Sequence, residues 1–85
     1  MNEQIIKALV EAGAVRKVCI IGDQDSFRVE IQTANGSEVA QTLKGKVKAW
    51  TSLNTAARWV RSIGIGEAQL LLTHWAPDQK RMPLR

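Results

Sequence analysis

Cysteine and histidine are nearly absent: Cys19 and His74 are the only ones in the chain. A lone cysteine cannot form an internal disulfide, and one cysteine with one histidine cannot build a Cys/His metal centre. Tyrosine is missing altogether, so the aromatic content rests on Trp50, Trp59, Trp75 and Phe27. The two prolines, Pro77 and Pro83, both lie near the C-terminal end. No apolar run approaches the roughly 20 residues that a membrane helix needs. Glu3 stands where a secretory leader wants positive charge, and no long apolar stretch follows it. These absences lead us to expect a reduced, cytoplasmic domain with no cofactor, no membrane association and no small-molecule substrate. What remains is ordinary for a folded protein: 85 residues with 45% hydrophobic and 24% charged side chains. That is enough for one small core and too little for two. We expect a single domain over residues 1–76 and a basic, flexible tail over 77–85.

Acidic residues are also missing from one long stretch. None occurs between Glu38 and Glu67, while Lys44, Lys46, Lys48, Arg58 and Arg61 all do. The tail adds Lys80, Arg81 and Arg85 against Asp78 alone. The net charge is +4 and the isoelectric point is near 9.7. Segregated positive charge is the electrostatic footprint of phosphate binding. A basic run can equally be a solvated face, and +4 is modest for a dedicated nucleic-acid binder.

Residues 3–12 have the periodicity of a short helix, with Ile5, Leu9 and Ala12 on one stripe and Ile6 and Val10 widening it. Asn2 suits its cap and Gly13 its stop. The β-branched run Val18-Cys19-Ile20-Ile21 predicts a strand, followed by a polar turn at 22–25. Phe27, Val29 and Ile31 alternate with Arg28, Glu30 and Gln32, which predicts a strand with one buried and one wet face. Asn35-Gly36 is a hairpin signal and leads into a third strand over 38–43, with Val39 and Leu43 on one face. Lys44-Gly45-Lys46 then interrupts the chain as a turn or bulge. Ser52 caps a second helix whose apolar stripe is Leu53, Ala56, Ala57, Val60 and Ile63, with Arg58 and Arg61 on the far side. Gly64 ends it. Residues 67–73, containing Leu70-Leu71-Leu72, predict a fourth strand. The expected fold class is α+β in the order α-β-β-β-α-β. It has a small antiparallel sheet of three to four strands and two helices on one face.

Catalytic chemistry finds little to work with. Gly64-x-Gly66 lacks the third glycine and the Lys-Ser/Thr pair of a phosphate loop, and suits a helix stop. His74 has no acidic neighbour nearby in sequence. Cys19 sits in an apolar run, where a small buried hydrophobe is the default. Asp23 and Asp25 lack the further oxygen ligands of a calcium loop, and suit turn capping. A small hydrolase therefore has no constellation to support it. The tryptophans interleave with lysine and arginine, a pattern that can stack bases or fill a partner's pocket. Packing against the sheet accounts better for Trp50 and Trp59. Trp75, ahead of Pro77, is expected to be partly exposed.

The segment Trp50-Thr51-Ser52-Leu53-Asn54-Thr55-Ala56-Ala57-Arg58-Trp59-Val60-Arg61-Ser62-Ile63-Gly64-Ile65 is the most distinctive in the chain. It resembles the C-terminal half of small plasmid-borne, partition-associated accessory proteins of the ParC type. The resemblance implies a role in plasmid maintenance, and no catalytic residue is carried over with it. The order helix, three strands, helix is also similar to that of double-stranded-RNA-binding domains. Their second helix opens on a lysine-rich phosphate clamp, where this chain has Ser52-Leu53-Asn54-Thr55.

Two functional expectations follow. The first is a non-enzymatic accessory protein that contacts nucleic acid, DNA foremost, through Lys44, Lys46, Lys48, Arg58 and Arg61. The second is an interaction module using Leu70, Leu71, Leu72 and Trp75 on the last strand. Its partner would be a second copy, giving a homodimer, or another plasmid-encoded protein.

Overall fold

The computed structural model describes residues 1–76. The expected tail, 77–85, lies outside the described residues. The elements are α1 (Glu3–Glu11), β1 (Lys17–Gln24), β2 (Ser26–Thr33), β3 (Gly36–Val39), α2 (Leu53–Ser62) and β4 (Gln69–Trp75), an α+β fold in the expected order. The Asn2 side chain accepts from the Ile5 amide and caps α1. The Ser52 side chain accepts from the Asn54 and Thr55 amides and caps α2.

The four strands form one sheet in the order β3-β2-β1-β4. The first three make the antiparallel meander that their alternation requires. The fourth joins parallel to β1, so the sheet is mixed and not wholly antiparallel. The physical reason is the helix between β3 and β4. Parallel neighbours need a crossover, and α2 carries the chain from one edge of the sheet to the other.

Both helices contribute to one core, which lies on one face of the sheet. Ile6 of α1 and Ala56 and Val60 of α2 meet Val18, Ile20, Phe27, Val29 and Ile31, all buried. Cross-strand partners share a face, and the register pairs Val18 with Ile31, Ile20 with Val29 and Gly22 with Phe27. The β2 alternation therefore works as expected. The helical stripes are narrower than expected. Ile5, Ala12, Leu53 and Ala57 are exposed, and the buried line of α1 runs through Ile6.

Three local expectations change. The strand beginning at Lys17 continues through Asp23 to Gln24, because a two-residue turn suffices between Asp23 and its partner Ser26. Gln24 accepts a φ of +60° to make it. In the second hairpin Thr33 pairs with Gly36, so the turn residues are Ala34 and Asn35. The third strand stops at Val39. Leu43, expected to lie in this strand on the same face as Val39, falls outside it and is 73% exposed.

Candidate functional site

The stretch between β3 and α2 folds back on itself as a small hairpin. The Thr42 amide donates to the Lys46 carbonyl at 2.7 Å, and the Lys46 amide donates to Thr42 Oγ1 at 3.2 Å. Gly45 closes this turn with a φ of +89°, a conformation that favours glycine. Lys44 and Lys46 thereby stand out into solvent. The returning strand pairs Trp50 with Phe27 of β2, through reciprocal backbone bonds of 2.7 and 2.9 Å.

This pairing delivers Lys48 and Trp50 to the side of α2. The Trp50 and Trp59 rings lie 5.1 Å apart and tilted by 46°. The Lys48 ammonium sits over both, 5.6 Å from one centroid and 5.7 Å from the other. Such a cation is attracted by the negative faces of the rings. Trp59 also donates its indole N–H to Glu3 Oε1 at 3.2 Å, tying α2 to the first turn of α1. That hydrogen bond is the leading cause holding the Glu3 carboxyl below its ordinary range. Lys7, bonded to the same carboxylate, adds to it, slight burial opposes it, and the charges of Lys7 and Lys48 assist.

Arg58 and Arg61 project from α2 on its exposed side, about 60° apart around the helix axis. The five expected cations thus occupy three places: the 42–46 turn, the tryptophan pair, and the outer face of α2. The structure brings Lys48 against α2. Among the described residues none of the five is in a salt bridge. The ion pairs found are Lys7–Glu3, Arg28–Asp23 and the Met1 ammonium with Glu38. Trp50 and Trp59 pack at the rim of the core as half-buried residues, as the packing expectation had it.

The last strand is an edge strand. Gln69 through His74 are all exposed, and Leu70, Leu71 and Leu72 retain 40%, 37% and 42% of their accessibility. Leu70 pairs with Ile20 on the core face and Leu71 with Ile21 on the opposite face. A register shift follows before His74 pairs with Asp23. Trp75 behaves differently from the three leucines. Its ring lies 5.2 Å from Phe27 and it packs against the core, so it is half-buried and turned inward. Its indole nitrogen is buried with no acceptor among the described residues. Trp75 anchors the strand and is less available to a partner than the leucines are. The signal for this was Gly22, the one position in β1 where a side chain is missing beneath a bulky neighbour.

Cys19 is buried and His74 is exposed. Among the described residues no three acidic, histidine or cysteine side chains gather as a metal site, and no helix is long and apolar enough to cross a membrane. Compared with protein families, curated proteins and solved structures, the chain matches none, so its function has to be read from its own residues.

Proposed function

We propose that this chain is a non-catalytic, cytoplasmic accessory protein of plasmid maintenance that contacts nucleic acid through Lys44, Lys46, Lys48, Arg58 and Arg61. One observation carries the reading. None of these five cations forms a salt bridge among the described residues, while Glu3, Asp23 and Glu38 are each bridged by a different cation. The positive charge of Lys44, Lys46, Arg58 and Arg61 is therefore left for an outside anion, while Lys48 also lies over the Trp50 and Trp59 rings and acts on the Glu3 carboxyl. Phosphate is the anion such a spread suits, because backbone contacts neutralise charge along a line and do not require a pocket. The resemblance of the Trp50–Ile65 segment to partition-associated proteins agrees with a partner on plasmid DNA. Contacts of this kind position a protein without specifying sequence.

The test is duplex DNA binding by fluorescence anisotropy over a range of salt. Reversing Lys46 and Arg61 together (Lys46→Glu with Arg61→Glu) removes two phosphate contacts. The slope of log affinity against log salt should then flatten by about 2. Unchanged affinity and slope in the double variant would reject the reading.

A further inference from the structure

The two edges of the sheet are treated differently. The β3 edge is only four residues long, carries Glu38, and is partly covered. The Met1 ammonium donates to the Val39 carbonyl at 3.1 Å, and the Gln41 amide donates to the Met1 carbonyl at 2.8 Å. Short length, charge and covering are the devices by which proteins keep an edge from pairing with another chain. The β4 edge is neither short nor charged nor covered by another described segment, and its one irregularity is the register shift against β1 between Leu71 and His74. It is seven residues long, contains no proline, lysine or acidic residue, and presents three exposed leucines. Among the described residues nothing lies beyond it.

We propose that β4 pairs antiparallel with β4 of a second copy of this chain, so that two four-stranded sheets become one continuous sheet across a two-fold axis. Nothing in this inference depends on the nucleic-acid reading.

Three features select a second copy as the occupant. First, the strand is self-complementary. An antiparallel ladder about a two-fold axis sets one residue opposite its own copy. Centred on Leu71, it sets Leu71 against Leu71 and Leu70 against Leu72, so all three leucines meet leucines. Second, the ladder brings no like charges together. Two chains of net charge +4 repel in general, but the strand QLLLTHW has no charged side chain other than His74, when protonated. Third, the antiparallel direction keeps the acidic Glu67 residues that precede the two strands at opposite ends of the ladder. A parallel arrangement would set Glu67 against Glu67. Because the two-fold axis is perpendicular to the sheet, both helical layers stay on one side, and the cationic residues of the two copies lie on a single assembly.

The experiment is sedimentation velocity on the full chain from low to high micromolar concentration, with charge variants at the axis. The unaltered chain should sediment as a dimer at the upper end. Leu71→Lys puts two ammonium groups opposite each other, and Leu71→Glu two carboxylates. Each should weaken self-association by roughly tenfold or more. Mixing the two variants should restore a heterodimer, since the charges are then opposite. Leu71 is already partly exposed, and circular dichroism checks that each variant remains folded. A chain that stays monomeric throughout overturns the proposal. A dimer indifferent to both substitutions, or no recovery on mixing, overturns it as well.

Discussion

Placing a methyl group on Gly22 should disrupt the junction that holds β4 to the sheet. Gly22 lies between Phe27 of β2 and the ring of Trp75. A Cβ there would meet Trp75 Cβ and Cγ at 3.0 Å and Phe27 Cε1 at 3.1 Å. Trp75 Cβ is fixed to its own backbone, so it cannot swing aside as the tip of a long side chain could. Either β4 moves away or the Trp75–Phe27 contact opens. Overpacking of this kind costs about 1–3 kcal/mol. Replacing glycine by alanine returns about 0.4–1 kcal/mol by restricting the unfolded chain. The net loss for Gly22→Ala is then roughly 1–2 kcal/mol. With about 2.1 cal/mol/K of unfolding entropy per residue, 1 kcal/mol is worth roughly 5–6 °C in an 85-residue chain. Thermal unfolding followed by far-ultraviolet circular dichroism should show Tm lower by about 5–12 °C. Near-ultraviolet dichroism should report a changed tryptophan environment. Gly66→Ala is the control, because nothing lies within 4 Å of the added atom; it should leave Tm unchanged or slightly raised. A Gly22→Ala protein as stable as the Gly66→Ala control would refute the packing of Trp75 over Gly22.

Ser52→Ala removes the acceptor for the Asn54 and Thr55 amides and should cost about 1 kcal/mol, read as a fall in the denaturant midpoint with an unchanged slope. The Glu3 carboxyl is held below its ordinary value of 4.5 in the folded chain. Its contribution to stability is therefore complete above that value and is lost as pH falls through the lowered one. The stability difference between the natural chain and Glu3→Gln should shrink on acidification below pH 4.5 and stay constant above it; denaturant titrations across that range check this, and a gap that widens on acidification would contradict it. Cys19 is buried, so a thiol reagent should react with it far more slowly in the native protein than in denaturant, and equal rates would show that the thiol is open.

Much of the fold was legible because single-face burial leaves a periodic trace. Phe27, Val29 and Ile31 alternate, and that alternation fixed β2 and its buried face. Asn2 and Ser52 marked both helix starts because a side-chain oxygen at that position satisfies otherwise unpaired amides. The direction of β4 left no such trace. Leu70-Leu71-Leu72 has the same composition whether its neighbour runs parallel or antiparallel, and only the crossing path of α2 decides. Val39 lies in the third strand as its pattern predicts, but Leu43 does not, because an extended reading continues the strand where the chain instead turns at Thr42–Lys46 and brings Trp50 alongside Phe27. That turn is also why the site was half visible. Lys44, Lys46, Lys48, Arg58 and Arg61 stood out by charge. The contact of Lys48 with Trp50 and Trp59, and the tie from Trp59 to Glu3 across 56 residues, are tertiary facts without a local signature.

Hydrogen exchange at two protein concentrations tests the role of the unpaired edge most directly. At low concentration the amides of Gln69–Trp75 that do not bond to β1 should exchange nearly as fast as in a free chain. At high concentration they should become protected, while the β3 amides remain unchanged. Equal protection of β4 at both concentrations would contradict the account.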